Sequence, residues 1–318
     1  MPFTGASGTS NKQASKWLIE NEPVKVQIHG HWPTLGVHGD TLVHSRVPAL
    51  VDASVVDPCD PAKDHSDAAT PHRFTMVNYA TRLEVCMANQ DISRIPNLIE
   101  AIEIEVGKIK LDYGFYARMD TVVGDPSIGG LPDLVAPGNV LDLAGGLLSF
   151  ACLEAAFNLV TANNGRPTVI MSNSRSQESY RNLCWAAGIE PPSMPWRWYD
   201  PFKGWQTGDV TEFHGVPWLI NDKMDQGPLP ANRRIYFMVL GDDGGTGPTR
   251  GLVKIMPADL VRNPYILRAT SGVPDFVAQE VNMTRDIWLT MPAGLALGSQ
   301  GALSILQNFA HIGTCLGA

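Results

Sequence analysis

The most regular pattern of hydrophobic and polar positions in this sequence lies between Ser93 and Val123. Apolar residues recur there at steps of three and four, which places them on one face of a helix, and most charged residues fall off that face. The apolar positions are Ile95, Leu98, Ile99, Ile102, Val106, Ile109, Tyr113 and Tyr116. Ser93 and Pro96 suit a helix start, and Pro126 breaks the pattern downstream. The pattern predicts one amphipathic helix, roughly 40 Å long.

Before this helix, residues 40–90 are predicted to form a long two-stranded excursion. Residues 40–56 form the outgoing strand, and residues 72–89, rich in β-branched and aromatic side chains, form the returning strand. The connection over residues 57–71 is polar and proline-rich and has no apolar anchor. Because an isolated hairpin is marginally stable in water, we expect this one either to fold back on its own domain or to lie on another subunit.

The first 38 residues show little periodicity and are predicted to form an extended arm. Residues 24–32 alternate between apolar and polar positions, as a short strand would. Proline and glycine prevent a longer element, at Pro23, Gly30, Pro33, Gly36 and Gly39.

Beyond the long helix, the pattern predicts an α+β arrangement. We expect a second helix over residues 140–165, a buried strand over 168–173 and a third helix over 174–188. Residues 191–209 are predicted to form an aromatic, proline-rich loop. Further predicted strands lie within residues 212–222, 233–243 and 252–257, with a glycine-rich turn over 242–251.

Composition narrows the class of protein. A chain of 318 residues with 44% hydrophobic residues can form one large domain or two smaller ones. No apolar run is long enough for a transmembrane helix, so no membrane contact is predicted, and the polar start predicts no secretion signal. The net charge of −8, without a basic cluster, argues against tight nucleic-acid binding. The five cysteines lack zinc or redox spacing and are expected to be reduced.

The densest group of candidate metal ligands consists of His29, His31, His38 and His44. A His-x-His pair can present two ligands from one face of a strand, which gives one alternative function, a metal-dependent hydrolase using His29 and His31. No HExxH motif occurs, and Asp40 is the nearby carboxylate. A histidine-rich arm without a metal is therefore favoured, and no metal, cofactor or catalytic residue is predicted.

Two other groups of residues have competing interpretations. The spacing of the acidic tip residues does not match an EF-hand, so a solvated loop tip is favoured over a cation site. These residues are Asp57, Asp60, Asp64, His65 and Asp67. Four tryptophans have only Arg197 and Lys203 as basic residues among them, which favours a core or subunit interface over a base-stacking surface. They are Trp196, Trp198, Trp205 and Trp218.

The order of these predicted elements resembles that of the major capsid proteins of tailed phages, whose Hong Kong ninety-seven-type fold is shared by encapsulin shells. The resemblance covers residues 40–318. In it, residues 96–123 correspond to the spine helix, and residues 40–90 correspond to the extended loop that lies over a neighbour. The other segments that carry the resemblance are 168–183, 213–224, 235–240 and 286–303.

The resemblance implies an α+β capsid fold in five segments. They are an N-terminal arm (1–38), an extended β-hairpin loop (39–92), a peripheral domain with the spine helix (93–140), an axial domain (141–264) and a return to the peripheral domain (265–318). The implied function is structural and not enzymatic. It is that of a major capsid protein which self-assembles as pentamers and hexamers into the icosahedral head shell around the double-stranded DNA genome of a tailed phage. An encapsulin-like compartment shell is the close alternative.

The resemblance also implies partners and a location. The partners are other copies of the chain, portal, scaffold and decoration proteins, and packaged DNA that is contacted without sequence specificity. The location is the virion, after assembly in the host cytoplasm. The predicted assembly-interface residues are Trp17, Asp57, Asp60, Lys63, Asp64, Asp67, Arg73, Glu103, Arg118, Trp196, Trp198 and Trp205.

Overall fold

The computed structural model describes residues 26–46, 70–86, 98–161, 166–200, 204–224, 233–241, 251–269 and 284–310. The helices in these ranges are α1 (Leu98–Arg118), α2 (Leu131–Leu134), α3 (Phe150–Thr161) and α4 (Ser174–Ala186). The strands are β1 (Thr34–Val37), β2 (Thr41–Arg46), β3 (Thr70–Thr75), β4 (Val77–Cys86), β5 (Val140–Asp142), β6 (Val169–Ser172), β7 (Ser193–Asp200), β8 (Gly204–Phe213), β9 (Val216–Ile220), β10 (Arg234–Met238), β11 (Leu252–Pro257), β12 (Ile266–Ala269), β13 (Thr284–Leu297) and β14 (Leu303–Gln307).

The long amphipathic pattern forms helix α1, whose apolar face includes the buried residues Ile102, Val106 and Ile109. The predicted start, before Leu98, lies outside the described residues. The predicted end at Val123 is wrong, because the helix ends at Arg118. The chain turns back on itself there, and the Leu131 N–H donates to the Met119 carbonyl at 2.7 Å. In a longer helix the Met119 carbonyl would accept from the N–H four residues further on, and here it accepts from Leu131 instead.

Helix α1 packs against a five-stranded sheet built around β13. The first ten residues of β13 pair antiparallel with β4, and its last four pair antiparallel with β11. Strand β12 also pairs with β13, and β1 joins β11 in parallel. The core on this face of the sheet includes Leu83, Ile287, Leu289 and Met291, which are almost fully buried.

The described part of the predicted arm, residues 26–38, belongs to this body and does not extend away from it. Ile28 is completely buried, and β1 is hydrogen-bonded into the sheet. The strand predicted over residues 24–32 is wrong where the structure describes it. His29 N–H donates to the Val26 carbonyl and His31 N–H to the Ile28 carbonyl, so the chain forms two successive turns. Gly30 allows them because its φ of 85° favours glycine.

A seven-stranded sheet forms the second layer, with β6 near its centre. Its strand order is β5, β14, β10, β6, β9, β8 and β7. Every residue of β6 and β9 is buried, as expected for strands covered on both faces. Helices α3 and α4 bring Leu153, Phe157 and Tyr180 into a core that also includes Trp218 and Phe237. The predicted strand over 168–173 and helix over 174–188 are confirmed.

The helix predicted over residues 140–165 is wrong in its first ten residues. Residues 140–142 form strand β5, which pairs in parallel with β14. Ala144 and Gly145 both have positive φ, and the Ala144 N–H donates to Asp142 Oδ1 at 2.8 Å. This turn prevents a continuous helix, so α3 begins only at Phe150.

The aromatic loop predicted over residues 191–209 is also wrong. The segment forms the antiparallel hairpin β7–β8, in which alternate residues of β7 are exposed. A Cβ atom at Gly208 would lie 2.9 Å from Trp198 Cη2, so the tryptophan ring lies directly over this glycine on the opposite strand. Cross-strand packing of this kind stabilises a hairpin despite the proline at position 195.

The excursion predicted before α1 is confirmed for residues 41–46 and 70–75. Strands β2 and β3 pair antiparallel from Thr41 opposite Thr75 to Arg46 opposite Thr70. The returning strand then continues past Met76 as β4, which belongs to the five-stranded sheet. The predicted tip, residues 57–71, lies outside the described residues except for its last two positions.

Sheet membership crosses the predicted segment boundaries. Strand β11 comes from the predicted axial segment but lies in the five-stranded sheet, and β14 comes from the predicted return segment but lies in the seven-stranded sheet. The division into five segments remains a prediction. None of the described helices is long and apolar enough to cross a membrane.

Candidate assembly surfaces

The β2–β3 hairpin stands on a base that is fixed by backbone hydrogen bonds. Met76 N–H donates to the Asp40 carbonyl at 2.9 Å, and Thr75 N–H donates to the Ser127 carbonyl at 2.7 Å. On the hairpin itself, Val43 is opposite Arg73, both side chains are exposed, and Val43 has 59% of its surface accessible. Arg73 is therefore accessible at the surface, and its role in assembly remains a prediction. The predicted interface residues of the tip and Trp17 in the arm lie outside the described residues; those of the tip are Asp57, Asp60, Lys63, Asp64 and Asp67.

The two predicted interface residues on α1 are half-buried in the subunit. Arg118 donates from Nη2 to the Ile128 carbonyl at 3.0 Å, and it therefore holds the loop that follows the helix. Glu103 is half-buried and lies one turn from Val106. The contact of Arg118 is internal, so its predicted role in assembly has no support from this geometry and remains a prediction.

The aromatic hairpin presents only one of its three predicted interface tryptophans to solvent. Trp196 and Trp198 are half-buried and pack against the main core, whereas Trp205 is 47% exposed. The Arg197 guanidinium lies 4.6 Å from the centre of the Trp205 ring. This is a cation–π geometry, and it leaves an aromatic and positively charged surface on the edge of the seven-stranded sheet.

A polar cluster that the sequence patterns did not indicate lies where the 26–31 turn meets α1. His29 Nδ1 is 2.9 Å from the Tyr116 hydroxyl, and His29 Nε2 is 4.0 Å from Asp112 Oδ2. The Tyr265 hydroxyl donates to the same Asp112 oxygen at 2.7 Å. Lys254, on β11, is buried against the Phe115 ring, with its Nζ 4.5 Å from the ring centre. Four separate chain segments therefore meet around one carboxylate.

Burial and charge set the protonation states in this cluster. Burial lowers the pKa of His29, and Asp112 opposes this shift more strongly than Lys254 adds to it. Burial also lowers the pKa of Lys254, and Asp112 again opposes the shift. Burial raises the pKa of Tyr116 and of Tyr265, with Asp112 adding to both shifts. A neutral His29 that accepts from the Tyr116 hydroxyl is consistent with all of these contacts.

These contacts argue against the metal-binding interpretation of the two histidines. Both nitrogens of His29 face partners within the subunit, and His31 Nε2 forms a hydrogen bond with the Arg197 carbonyl. Among the described residues, no group of three or more His, Cys, Asp or Glu side chains could hold a metal ion. His29 and His31 instead fasten the 26–31 turn to α1 and to β7.

A second buried cluster fastens the end of α1 to the seven-stranded sheet. Arg234 Nη1 donates to Asp120 Oδ1 at 3.1 Å and to the Asp120 carbonyl at 3.0 Å. The Tyr236 hydroxyl donates to the same carboxylate oxygen. The Asp120 side chain is 1% exposed, and that of Arg234 is 14% exposed. Sequence reasoning missed this clamp, since nothing in the sequence places residues 120 and 234 together.

The chain adopts the Hong Kong ninety-seven-type capsid fold, as comparison with solved structures shows. It matches the holo-SrpI encapsulin complex from Synechococcus elongatus PCC 7942 with a TM-score of 0.68 and 14% identity, over 95% of this chain and 90% of that one. It matches a structure from Mycobacterium phage Bobi with a TM-score of 0.58 and 14% identity, over 92% and 93% of the two chains. It also matches the capsid of the empty GTA particle with a TM-score of 0.55 and 13% identity, over 95% and 99%.

No protein-family model matches the sequence, and no curated protein matches it either. The likeness is therefore one of structure. It confirms the fold class and the resemblance that the order of predicted elements indicated.

Proposed function

We propose that this protein is the major capsid protein of a tailed phage. In this proposal its copies assemble as pentamers and hexamers into the icosahedral head shell that encloses double-stranded DNA. The observation that carries the proposal is the near-complete match to shell structures, over nine-tenths or more of both chains for a phage and for the GTA capsid. A match over this share of both chains is more than a shared local motif.

Physical features of the subunit support a role in assembly. The β2–β3 hairpin is anchored to the core by Phe74 and carries exposed Val43 and Arg73. Among the described strands β2 and β3 pair only with each other, and a neighbouring subunit can cover the exposed side of this pair. The net charge of −8 suits a wall that does not grip packaged DNA.

The proposed role is structural and not catalytic. The histidines that could have served a hydrolase are committed to contacts inside the subunit. The proposed partners are other copies of the chain, a portal, a scaffold and, on the mature particle, decoration proteins. The proposed location is the virion, after assembly in the host cytoplasm.

An encapsulin-like compartment is a second candidate, because one specific observation favours it. The match to the encapsulin complex has a TM-score of 0.68, compared with 0.58 for the phage structure. The two candidates differ in what the shell contains. Nuclease-protected DNA in purified particles supports the phage head, whereas DNA-free particles with a bound protein cargo support the compartment.

Electron microscopy of the purified protein, with size-exclusion chromatography beside it, tests shell formation. We expect closed isometric particles, or rings of five and six subunits. A monomer or dimer that stays unassembled with its scaffold protein and with crowding agents would contradict the proposal.

A deletion of residues 58–70 tests the role of the hairpin tip separately. We expect a folded subunit, with unchanged far-UV circular dichroism, that does not form normal particles. Replacing the same residues with a glycine–serine linker of equal length is the matched control for chain length, and it should also fail if the tip side chains make the contacts. Normal particles from both variants would remove the tip from the interface but leave the shell function standing.

A further inference from the structure

Strand β7 lies at the edge of the seven-stranded sheet, and the 26–31 turn is hydrogen-bonded along its outer side. Tyr199 N–H donates to the His29 carbonyl at 3.4 Å, and His31 Nε2 forms a hydrogen bond with the Arg197 carbonyl. Because Tyr199 and Arg197 are two residues apart on one strand, their backbone groups point to the same side, away from β8. The turn therefore takes up backbone groups with which another chain could pair.

Gly30 brings this turn into direct contact with the hairpin. A Cβ atom at Gly30 would lie 3.0 Å from Tyr199 Cβ and 3.4 Å from Trp205 Cη2. The His29 ring lies 5.1 Å from the Tyr199 ring. Further along the same side of β7, Pro195 has no N–H to offer. The turn therefore covers an edge strand, and an uncovered edge strand can pair with another strand.

The two ends of the turn are anchored by groups that do not change charge. Gln27 N–H donates to the Ile220 carbonyl at 2.8 Å, and Ile220 N–H donates to Gln27 Oε1 at 3.0 Å. Beyond the turn, the backbone N–H of Lys254 donates to the Pro33 carbonyl at 2.9 Å. These bonds hold the flanking residues whatever the protonation state of the histidines between them.

His29 fastens the middle of the turn to α1. A neutral His29 accepts from the Tyr116 hydroxyl at Nδ1 over 2.9 Å, and its Nε2 lies 4.0 Å from Asp112 Oδ2. Ionisable groups face His29 from each element packed around it. They are Asp112 and Tyr116 on α1, Lys254 on β11, Tyr199 and Asp200 on β7, His31 in the turn itself, and Tyr265, which shares the Asp112 carboxylate.

Protonation of His29 works against these contacts. The Nδ1 atom then carries a proton and no longer accepts from the Tyr116 hydroxyl. The new charge also lies near buried Lys254, and Asp112, whose Oδ2 already accepts from the Tyr265 hydroxyl at 2.7 Å, is the carboxylate that faces both. Burial lowers the pKa of His29, against the opposing effect of Asp112, so this charge appears only below pH 6.5.

We propose that the 26–31 turn is a cover of the β7 edge that opens when His29 takes up a proton. In the closed state the turn bridges α1 and β7. In the open state the turn leaves both, while its anchored ends at Gln27 and Pro33 stay in place, and the outward backbone groups of β7 reach solvent. This inference goes beyond the proposed shell function and does not depend on it.

Hydrogen exchange of the full chain at pH 5 and pH 8, with each rate divided by the intrinsic rate at that pH, tests this proposal. In the wild type we expect peptides that cover residues 26–33 and 193–200 to lose protection several-fold at pH 5. Peptides that cover helix α4 should keep theirs. No loss of protection at pH 5 in the two peptides would overturn the proposal, as would a loss of the same size throughout the chain.

Two variants assign the change to His29. His29→Gln stays neutral, so its protection in these peptides should be the same at both pH values, whereas His38→Gln changes an exposed histidine of the same segment and should behave as wild type. Tyr116→Phe keeps the ring but removes the hydroxyl that donates to Nδ1, so the pH at which protection is lost should rise. A full loss of protection at pH 5 in His29→Gln, or an unchanged midpoint in Tyr116→Phe, would overturn the role of His29.

A pair of glycine variants tests the cover without any titration. Gly30→Ala places a Cβ against Tyr199, so it should speed exchange in residues 193–200 several-fold at pH 8. Gly39→Ala is the matched control, because Gly39 also has a positive φ, 99° compared with 85°, but a Cβ there would meet nothing within 4 Å. Equal exchange of residues 193–200 in the two variants would show that the turn does not protect β7 and would overturn the proposal, even if the protein forms shells.

Discussion

Two helix-covered regions of this protein bury polar groups in opposite ways. Where α1 meets the five-stranded sheet, the interior holds ionisable groups: Asp112, Lys254 and the neighbouring His29. Where α4 covers the seven-stranded sheet, the buried polar side chains of the helix are neutral. There the Trp218 Nε1 donates to Ser172 Oγ at 2.7 Å, and Gln177 Nε2 donates to the Trp218 carbonyl at 2.9 Å.

This difference separates two kinds of contribution to stability. A satisfied neutral network contributes in the same way at every ordinary pH. A buried charge costs desolvation, is offset only by its partners, and changes its contribution with pH. We expect the region around α1 to respond to acid and to the loss of one partner, and the region around α4 to respond mainly to changes in volume.

The largest expected effect comes from breaking the Asp120 clamp. Asp120→Ala leaves the Tyr236 hydroxyl without its acceptor and the Arg234 charge without its carboxylate, and such a break costs about 3–5 kcal/mol. Urea unfolding of the unassembled subunit measures this loss. Asp120→Asn, which keeps an acceptor oxygen, is the control and should lose less. Equal losses in the two variants would contradict a role for the hydrogen-bonded oxygen.

A smaller loss is expected from the neutral network. Trp218→Phe removes a donor and part of a fully buried ring, and leaves Ser172 Oγ without this partner, at a cost of about 2–3 kcal/mol. The same urea measurement at pH 5 and pH 8 tests whether the contribution of this network to stability depends on pH. The loss should be the same at both values, and a loss that changes with pH would show that the network is coupled to a titrating group.

The pH dependence of the α1 region follows from His29. Because the native pKa of His29 is lowered from 6.5, the unfolded chain takes up the proton first as the pH falls. The stability contributed by a neutral His29 is therefore present above pH 6.5 and is lost as the pH falls from 6.5 through the native pKa.

His29→Gln tests this sign. The difference in unfolding free energy between wild type and the variant should shrink below pH 6.5 and stay constant above it. His38→Gln changes an exposed histidine of the same segment and should leave the profile as it is. A difference between wild type and His29→Gln that grows toward acid would contradict a lowered native pKa of His29.

The smallest effects are expected inside α1, where two glycines have different surroundings. A Cβ at Gly107 would lie 2.9 Å from Leu83 Cδ1, whereas a Cβ at Gly114 would meet only Tyr79 Cδ1 at 3.6 Å. Gly114→Ala should therefore gain up to about 1 kcal/mol from helix propensity. Gly107→Ala must displace Leu83 and should gain less or lose stability. Thermal unfolding of both variants measures the contrast, and equal gains would show that Leu83 moves freely.

Periodicity in the sequence predicted much of the fold but failed where partners come from far along the chain. Residues 140–142 have apolar character that suits either a helix or a strand. They form a strand because they pair with β14, more than 160 residues later in the chain. The β7–β8 hairpin was hidden by its prolines, and the ring of Trp198 over Gly208 explains why it forms. Two predicted interface tryptophans, Trp196 and Trp198, are half-buried and pack against the core of the subunit.

The polar clusters show the same limit. Lys254 is conspicuous in the sequence, as one charge within the apolar strand Leu252–Pro257. Asp112 lies one turn before Tyr116, on a helix that the sequence predicted up to its end. Their relation to His29 and Tyr265 could not be predicted, because it depends on how the 26–31 turn and the segment before β12 pack against α1.

By itself the sequence determined the long helix, strands β4, β6, β9, β10 and β11, the excursion before the helix and the acidic balance of the chain. These follow from the spacing of apolar residues and from composition, which are local properties. Only the tertiary structure decided where α1 ends, that residues 34–37 join a sheet, and which buried charges share a partner. These depend on contacts between residues far apart in the chain, because burial and charge pairing are energies of the packed state and not of any one segment.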